Sequence, residues 1–406
     1  MSEGSKLAVR LQRALLRLLG KQISKTPLSP TDFPNHDIRR ILIIGLHDQL
    51  RDLLLATPVF RAVRQHFPKA HIAALVRNNL APILDHNVNL AEVICFFESI
   101  SGWSVKKAIQ FVKRVRSKFD LTIVLDLVSD SVTSDLLAYL SGAKYVLGSE
   151  HLVFQPGQDN FIYNLLAPYY DSNKHQTEKN LDIVRFIQVD TEDKSEEIYL
   201  TQEERKLAWE FLYENGLQPD DLLLAIRLGA RKVRNRWNVT KFVELAKYFS
   251  SRHNAKIIVS WGPNDVKLGQ YFLNSLPFKP VEAVGLNLRK LAAVFSFCNL
   301  VFCCDTDAMH LAASVGTPLV AVFGSTDPEE WKPIGQRFVG LKGVQGNCSF
   351  VNVAQVIEAA ERLLKAYPKS VEVGSEDFEI SEQVVERYLN ILNPFDKLKK
   401  YLTIKK

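Results

Sequence analysis

From Arg40 onward, apolar runs of four or five residues alternate with amphipathic stretches of helical length. Residues 41–44, 72–76, 93–97 and 121–125 are runs of this kind, too short for helices and unbroken enough to be strands buried on both faces. Between them, residues 53–67 and 105–119 carry apolar positions at helical spacing, and Pro58, with no N–H to donate, forces a kink or restart in the first. The alternation returns after Thr201, with strands expected over 222–226, 257–260, 300–304 and 319–323 and helices over 239–249, 266–276, 288–297 and 354–367. Such alternation implies parallel sheets covered by helices. Residues 148–171 show no period; Phe154, Phe161, Tyr163, Tyr169 and Tyr170 within them either line a cleft or cover the sheet. One more helix is expected over 381–392. No repeat of solenoid length is present, and no Gly-x-Gly-x-x-Gly follows Ile44, which disfavours a dinucleotide-dependent oxidoreductase.

The stretch from Asp305 to Pro318 is the most informative. A strand expected over 300–304 runs into Asp305 and Thr306, which are suited to accept hydrogen bonds from the free amides of a short helix that Gly316 and Pro318 stop. A helix starting at the carboxyl end of a buried strand aims amides and a positive dipole end into a crevice, where open α/β sheets bind phosphorylated ligands. The same pattern also describes an ordinary, well-capped strand–helix–strand unit.

At 406 residues the chain exceeds a usual single domain, so two are expected. The net charge of +6 suits phosphate-bearing or anionic-membrane partners. Cys95, Cys298, Cys303, Cys304 and Cys348 form no Cys-x-x-Cys pair and read as free thiols in a reducing cytoplasm. No apolar run has transmembrane length and no His, Cys and carboxylate cluster has metal spacing, so neither a metal nor a cofactor is expected. Residues 6–21 place Leu7, Leu11, Leu15 and Leu18 on one helical face and Arg10, Arg13 and Arg17 on another. Such a helix lies either in an anionic membrane interface or on the protein's own surface. Residues 24–35, rich in Pro and Ser, read as a linker.

Four segments in order carry a family resemblance. They are Ile41-Leu42-Ile43-Ile44 with the run from Asp48 to Val59; His175-Gln176-Thr177-Glu178-Lys179-Asn180-Leu181; Ile226-Arg227-Leu228-Gly229-Ala230 through Arg236-Trp237; and Asp305-Thr306 through Met309-His310-Leu311-Ala312-Ala313 to Gly316-Thr317-Pro318, continued by residues 322–328 and Trp331-Lys332-Pro333-Ile334-Gly335. Together they resemble the ADP-heptose heptosyltransferases, glycosyltransferase family 9. The resemblance implies an α/β GT-B architecture, two Rossmann-like domains with parallel sheets facing a central cleft. The expected division is a helix and linker over 1–37, an acceptor-side domain over 38–200, a nucleotide-sugar domain over 201–375, and a helix and basic tail over 376–406 that crosses back to the first domain. It further implies inverting, metal-independent transfer of a heptose or related sugar from an ADP-linked donor to a lipid-linked saccharide. The enzyme would sit in the cytoplasm, peripheral on the inner membrane, with residues 6–21 toward anionic lipid and no nucleic-acid partner. The alternative is a non-catalytic relative that binds nucleotide or glycolipid or scaffolds envelope enzymes.

Inverting transfer needs a base at the acceptor hydroxyl and cations or amides at the departing diphosphate. Asp52 matches the family's catalytic aspartate, although a helix cap is the other reading of an Asp at a loop-to-helix junction. Asp48 is a second acidic position, close enough to raise its neighbour's pKa. The basic loop 231–236 suits a diphosphate, with Arg231, Arg234 and Arg236 as its ligands, or is only a solvated surface loop. Asp305, Thr306, Asp307, Ala308, Met309 and His310 would meet the same group, unless His310 is a satisfied core histidine. Asp265, or equally Asn264, is placed to accept from ribose hydroxyls. Three positions depart from the family pattern: Arg51 and Asp307 replace glycines, and Asn235 replaces a lysine. Arg51 and Asp307 bring either a changed donor pose, a pairing across a closed cleft, or loss of catalysis.

Overall fold

The computed structural model describes residues 25–125, 132–150, 162–169 and 173–368. The expected helices over 6–21 and 381–392, and Phe154, Phe161 and Tyr170, lie outside these residues. The described residues form two parallel six-stranded sheets. In the first, β1 (Arg40–Gly45), β2 (His71–Arg77), β3 (Glu92–Phe96), β4 (Leu121–Val124), β5 (Tyr145–Ser149) and β6 (Leu165–Ala167) lie in the order β3-β2-β1-β4-β5-β6. In the second, β7 (Leu223–Arg227), β8 (Lys256–Ser260), β9 (Val281–Glu282), β10 (Leu300–Cys304), β11 (Leu319–Phe323) and β12 (Phe338–Lys342) lie in the order β12-β11-β10-β7-β8-β9. Both orders are the doubly wound pattern, in which the winding reverses beside the first strand and leaves a crevice at the strand carboxyl ends. The reversal falls between β1 and β4 in one sheet and between β7 and β10 in the other.

The unbroken apolar runs are explained by helices on both faces. From β1, Ile41 and Ile43 pack with α1 (Leu50–Leu54), α2 (Thr57–His66) and α5 (Gln176–Arg185), while Leu42 and Ile44 face α3 (Val105–Val115) and α4 (Val132–Ser141). Each of these fully buried side chains contributes about 1.5–3 kcal/mol. Pro58 produces a restart: α1 ends at Leu54 and α2 begins at Thr57, so the proline falls in a first turn where no N–H is required. The second sheet is covered by α6 (Gln202–Glu214), α7 (Val239–His253), α8 (Val266–Ser275), α9 (Leu288–Ser296), α10 (Asp307–Ala313), α11 (Pro328–Trp331) and α12 (Val353–Ala366). Of the aromatic residues between 148 and 171, Tyr163 is core: it is buried beneath Gly148, where a Cβ would lie 2.3 Å from its ring, and it donates to Asp135.

Between the domains, residues 195–198 have partners on alternating sides. Arg61 of α2 donates to the Asp193 and Ser195 carbonyls at 2.6 and 3.1 Å and pairs with Glu197, whose amide donates to Thr57 at 3.2 Å. Glu196 turns the other way, to His310 of α10 at 2.9 Å, and the Ile198 amide donates to the Ser314 carbonyl at 3.0 Å. From Ser195 to Ile198, odd residues therefore bind the first domain and even residues the second, as the period of an extended chain requires, whereas Lys194 before them pairs with Glu178 of the first domain.

Candidate active site

A cavity of about 580 Å³ opens at the carboxyl ends of β7 and β10, the reversal point of the second sheet. Its walls are the loop after β7, the loop after β8, the first turn of α10 and, from the opposite domain, Gln49 and Arg51. Arg51, Arg227, Arg231, Lys232 and Arg236 face it, against Asp265, Asp305 and Asp307. The excess of cations suits a diphosphate.

Two glycines shape the lining. Gly229 has φ +86°, and a Cβ there would lie 2.2 Å from the Asp265 carboxylate, so only glycine lets Asp265 reach the wall. Gly324, after β11, approaches the Arg234 carbonyl so closely that a Cβ would lie 2.1 Å from it. Asn235 occupies the same junction. It is buried, accepts from the Ser325 amide at 2.9 Å and donates to Asp305 at 3.1 Å. The residue at the family's lysine position is thus a strut that fixes the basic loop to the end of β10.

Arg231 reaches across the cleft to Gln49 at 3.1 Å, and Arg236 is held by the Ala230 carbonyl at 2.5 Å with Asp265 3.7 Å away. Arg234 is exposed and is not part of the lining; Lys232 is. Arg227, the last residue of β7, was not singled out from the sequence, yet its guanidinium faces the cavity and burial lowers its pKa. The only prior signal was a charge terminating an apolar strand.

Thr306 takes the N-cap position of α10 but does not cap it; its hydroxyl donates back to the Cys304 carbonyl at 3.3 Å, and the expected capping bond is absent. Ala308 lines the cavity, whereas Met309 and His310 are fully buried behind it. His310 is held by Glu196 through Nδ1, and its Nε2 has no partner. Burial opposes the charge on this imidazole, but Glu196, with Asp305 and Asp307 beyond it, raises its pKa above the ordinary value. Asp305 accepts from Asn235 and Thr326 on one oxygen, and its other oxygen is buried with no partner.

Asp52 lies in α1, whose N-cap is Gln49, so Asp52 is not a cap. It is only 4% exposed. Burial raises its pKa; Arg51 pulls it down by charge and by a hydrogen bond at 3.2 Å, His310 also lowers it, and Asp307 pushes it up. Asp48 is not the perturbing carboxylate: 62% exposed, it pairs instead with Arg77 at 2.6 Å. The two residues that replace family glycines meet across the cleft. The Arg51 amide donates to the Asp307 carboxylate at 3.2 Å, while the Arg51 guanidinium folds onto Asp52 and lies 4.2 Å from the ring centre of Trp331. The pairing is through the backbone rather than an ion pair, and it brings the Asp52 helix against the first turn of α10.

The sequence model of Glycosyltransferase family 9 (heptosyltransferase) matches residues 108–358. The chain belongs to that family. The transferase is 24% identical over 296 residues to lipopolysaccharide heptosyltransferase 3 of Escherichia coli K12, covering 71% of this chain and 83% of the relative. Its fold matches the glycosyl transferase family 9 structure from Veillonella parvula with a TM-score of 0.70 at 25% identity, covering 81% of this chain and 98% of that one. It also matches E. coli heptosyltransferase WaaC with ADP, with a TM-score of 0.62 at 17% identity over 80% of this chain and 99% of that one. The two parallel-sheet domains are those of the GT-B heptosyltransferases. Among the described residues of the transferase, no helix is long and apolar enough to cross a membrane, and no cluster of three or more His, Cys, Asp or Glu side chains forms a metal site.

Proposed function

We propose that this transferase moves a heptose or related sugar from an ADP-linked donor to a hydroxyl of a lipid-linked saccharide, with inversion. The observation that carries this reading is the cation-rich cavity of about 580 Å³ joined to the Asp52 helix by the Arg51–Asp307 contact. Its volume lies in the ordinary range for small-molecule sites. Arg227, Arg231, Lys232, Arg236 and the first-turn amides of α10 hold the diphosphate, with Thr306 and Ala308 beside it. Asp265 and Asp305, both in the lining, accept hydroxyls of the ribose and the sugar, respectively. Asp52 takes the proton of the acceptor hydroxyl as that oxygen bonds to the anomeric carbon. The bond from that carbon to the diphosphate breaks, and ADP leaves with the electron pair onto the surrounding cations. Burial makes Asp52 a stronger base than an exposed carboxylate. His310 serves behind the wall, as a support for α10.

The solved structure of E. coli heptosyltransferase WaaC is one with ADP, and the E. coli relative is a lipopolysaccharide heptosyltransferase, which supports both ends of this reading. The transferase works peripherally on the cytoplasmic face of the inner membrane, with residues 6–21 contributing contact with anionic lipid. Asp52→Asn tests the assignment. Transfer from ADP-heptose falls by about 100- to 10,000-fold while calorimetric ADP affinity stays within about a factor of two. Unchanged transfer by this variant would remove Asp52 from the mechanism.

A further inference from the structure

We propose that the outward face of α3 docks on an anionic lipid bilayer, with Val105, Ile109 and Val112 entering the interface and Lys106, Lys113 and Arg116 meeting the lipid phosphates. The starting point is a mismatch between what this helix offers and what the domain covers. At about 100° per residue, the apolar side chains Val105, Ala108, Ile109, Phe111, Val112 and Val115 span an arc of about 160°. The domain covers only one part of that arc: Val115 is buried, and Phe111 packs against Phe96 and Trp103. The other part faces solvent, with Val105 79%, Ile109 52% and Val112 40% exposed. Single exposed apolar residues are ordinary, but three within about 60° on successive turns form a stripe.

The charge beside the stripe selects the occupant. Lys106, Lys107, Lys113, Arg114, Arg116 and Lys118 lie between Ser104 and Asp120, with no acidic residue among them. Arg114 is engaged by Glu92 and the Val93 carbonyl, and Lys107 lies over Phe97. Lys106, Lys113 and Arg116 have no ion-pair partner among the described residues and share the outward side with the stripe. The nearby carboxylates are committed elsewhere, Glu98 to Arg77 and Asp120 to the amides of Arg39 and Arg40. An apolar stripe edged by unpaired cations fits an anionic bilayer: the side chains enter the acyl boundary while the ammonium groups stay with the phosphates. The placement serves the site as well. α3 follows the carboxyl end of β3, which runs parallel to β2 and β1, so the helix starts on the side of the sheet where Asp52 stands. For that last step the inference rests on the lipid-linked acceptor proposed above.

The test uses the full chain and sedimentation with sucrose-loaded vesicles of phosphatidylethanolamine and phosphatidylglycerol, compared with phosphatidylcholine alone. Two variants, V105S/I109S/V112S and K106E/K113E/R116E, alter only outward-facing positions of the helix. The wild type is expected to bind the anionic vesicles, and each variant to bind them about tenfold more weakly or worse. ADP affinity, titrated on the same samples, reports separately on the donor reading and shows that the variants are folded. The proposal is overturned if the wild type ignores anionic vesicles or if both variants bind them as tightly as the wild type, which would locate binding elsewhere, the first 24 residues included. It is equally overturned if the serine variant keeps vesicle binding and instead dissociates a dimer in sedimentation velocity, which would make the face a contact between copies of the chain.

Discussion

Replacing Asp307 by Asn removes one charge from the mouth of the cavity and keeps an oxygen able to accept from the Arg51 amide. Asp307 is exposed, so the high-dielectric form of Coulomb's law applies. With an effective dielectric constant of about 60 and a separation of about 6 Å, each charge pair is worth about 0.9 kcal/mol. A diphosphate with about two negative charges doubles this, and physiological salt roughly halves it again. The net is about 1 kcal/mol, so Asp307→Asn is expected to tighten ADP binding about fivefold. Asp307→Gly removes the same charge and also the contact with the Arg51 amide, which is worth about 0.5–1.5 kcal/mol and holds the two walls together. Its gain should therefore be smaller than that of the Asn variant, or absent. Calorimetric titration of ADP into the three proteins at low salt and in about 1 M salt separates the terms, because the electrostatic gain shrinks at high salt. An Asn variant that binds ADP no more tightly than wild type at low salt would refute the electrostatic argument. A gain of equal size at both salt concentrations would refute it as well.

Because burial raises the Asp52 pKa and Arg51 lowers it, transfer should fall as pH drops through the raised value, and Arg51→Gln should move that acid limb to higher pH in a kcat–pH profile. An unmoved limb would dissociate Arg51 from the base. His310→Leu strands the buried Glu196 charge and is expected to cost about 3–5 kcal/mol in urea unfolding, much of it recovered when Glu196 is also replaced by Leu. Glu196 raises the His310 pKa against the opposing effect of burial, so the wild-type pair stabilises fully below the ordinary histidine value of 6.5 and loses this contribution as pH rises through the raised value. A urea midpoint that climbs over that window would contradict the assignment. Gly229→Ala forces a positive φ on a residue with a Cβ and displaces Asp265, so about 2 kcal/mol or more of stability and most of the ADP affinity should be lost together. Retained affinity would show that Asp265 does not serve the nucleotide.

Strands buried on both faces were legible because nothing but packing decides them. β10 and β11 occupy the apolar runs 300–304 and 319–323 residue for residue. β5, β6, β9 and β12 escape the pattern: β5 contains a glycine that makes room for the Tyr163 ring, β6 and β9 are only three and two residues long, and β12 is a half-exposed edge strand with no continuous run. The helices α4, α5 and α6 also escaped the periodicity. In the site, the motif residues marked the right loops, but the orientation of each side chain depended on groups far away in sequence. Asp48 turned to Arg77, Arg234 turned outward, and His310 turned inward to a glutamate 114 residues earlier. For Arg51 and Asp307 the sequence leaves a pairing across the cleft as one of three readings. Their meeting across the cleft required the register of two separate sheets.

The alternating partners of residues 195–198 make the length of this connection a coded quantity. Surface loops ordinarily accept an extra residue at little cost. Here one inserted residue just before Glu196 would shift the parity of the residues that follow it, turning the carboxylate meant for His310 toward Arg61 and the one meant for Arg61 toward α10. Two inserted residues would restore the parity and leave only slack. Natural variation in the length of this segment should therefore come in even steps, and the strip acts as a two-sided ruler that sets how α2 and α10, and with them the base and the donor cavity, stand relative to each other.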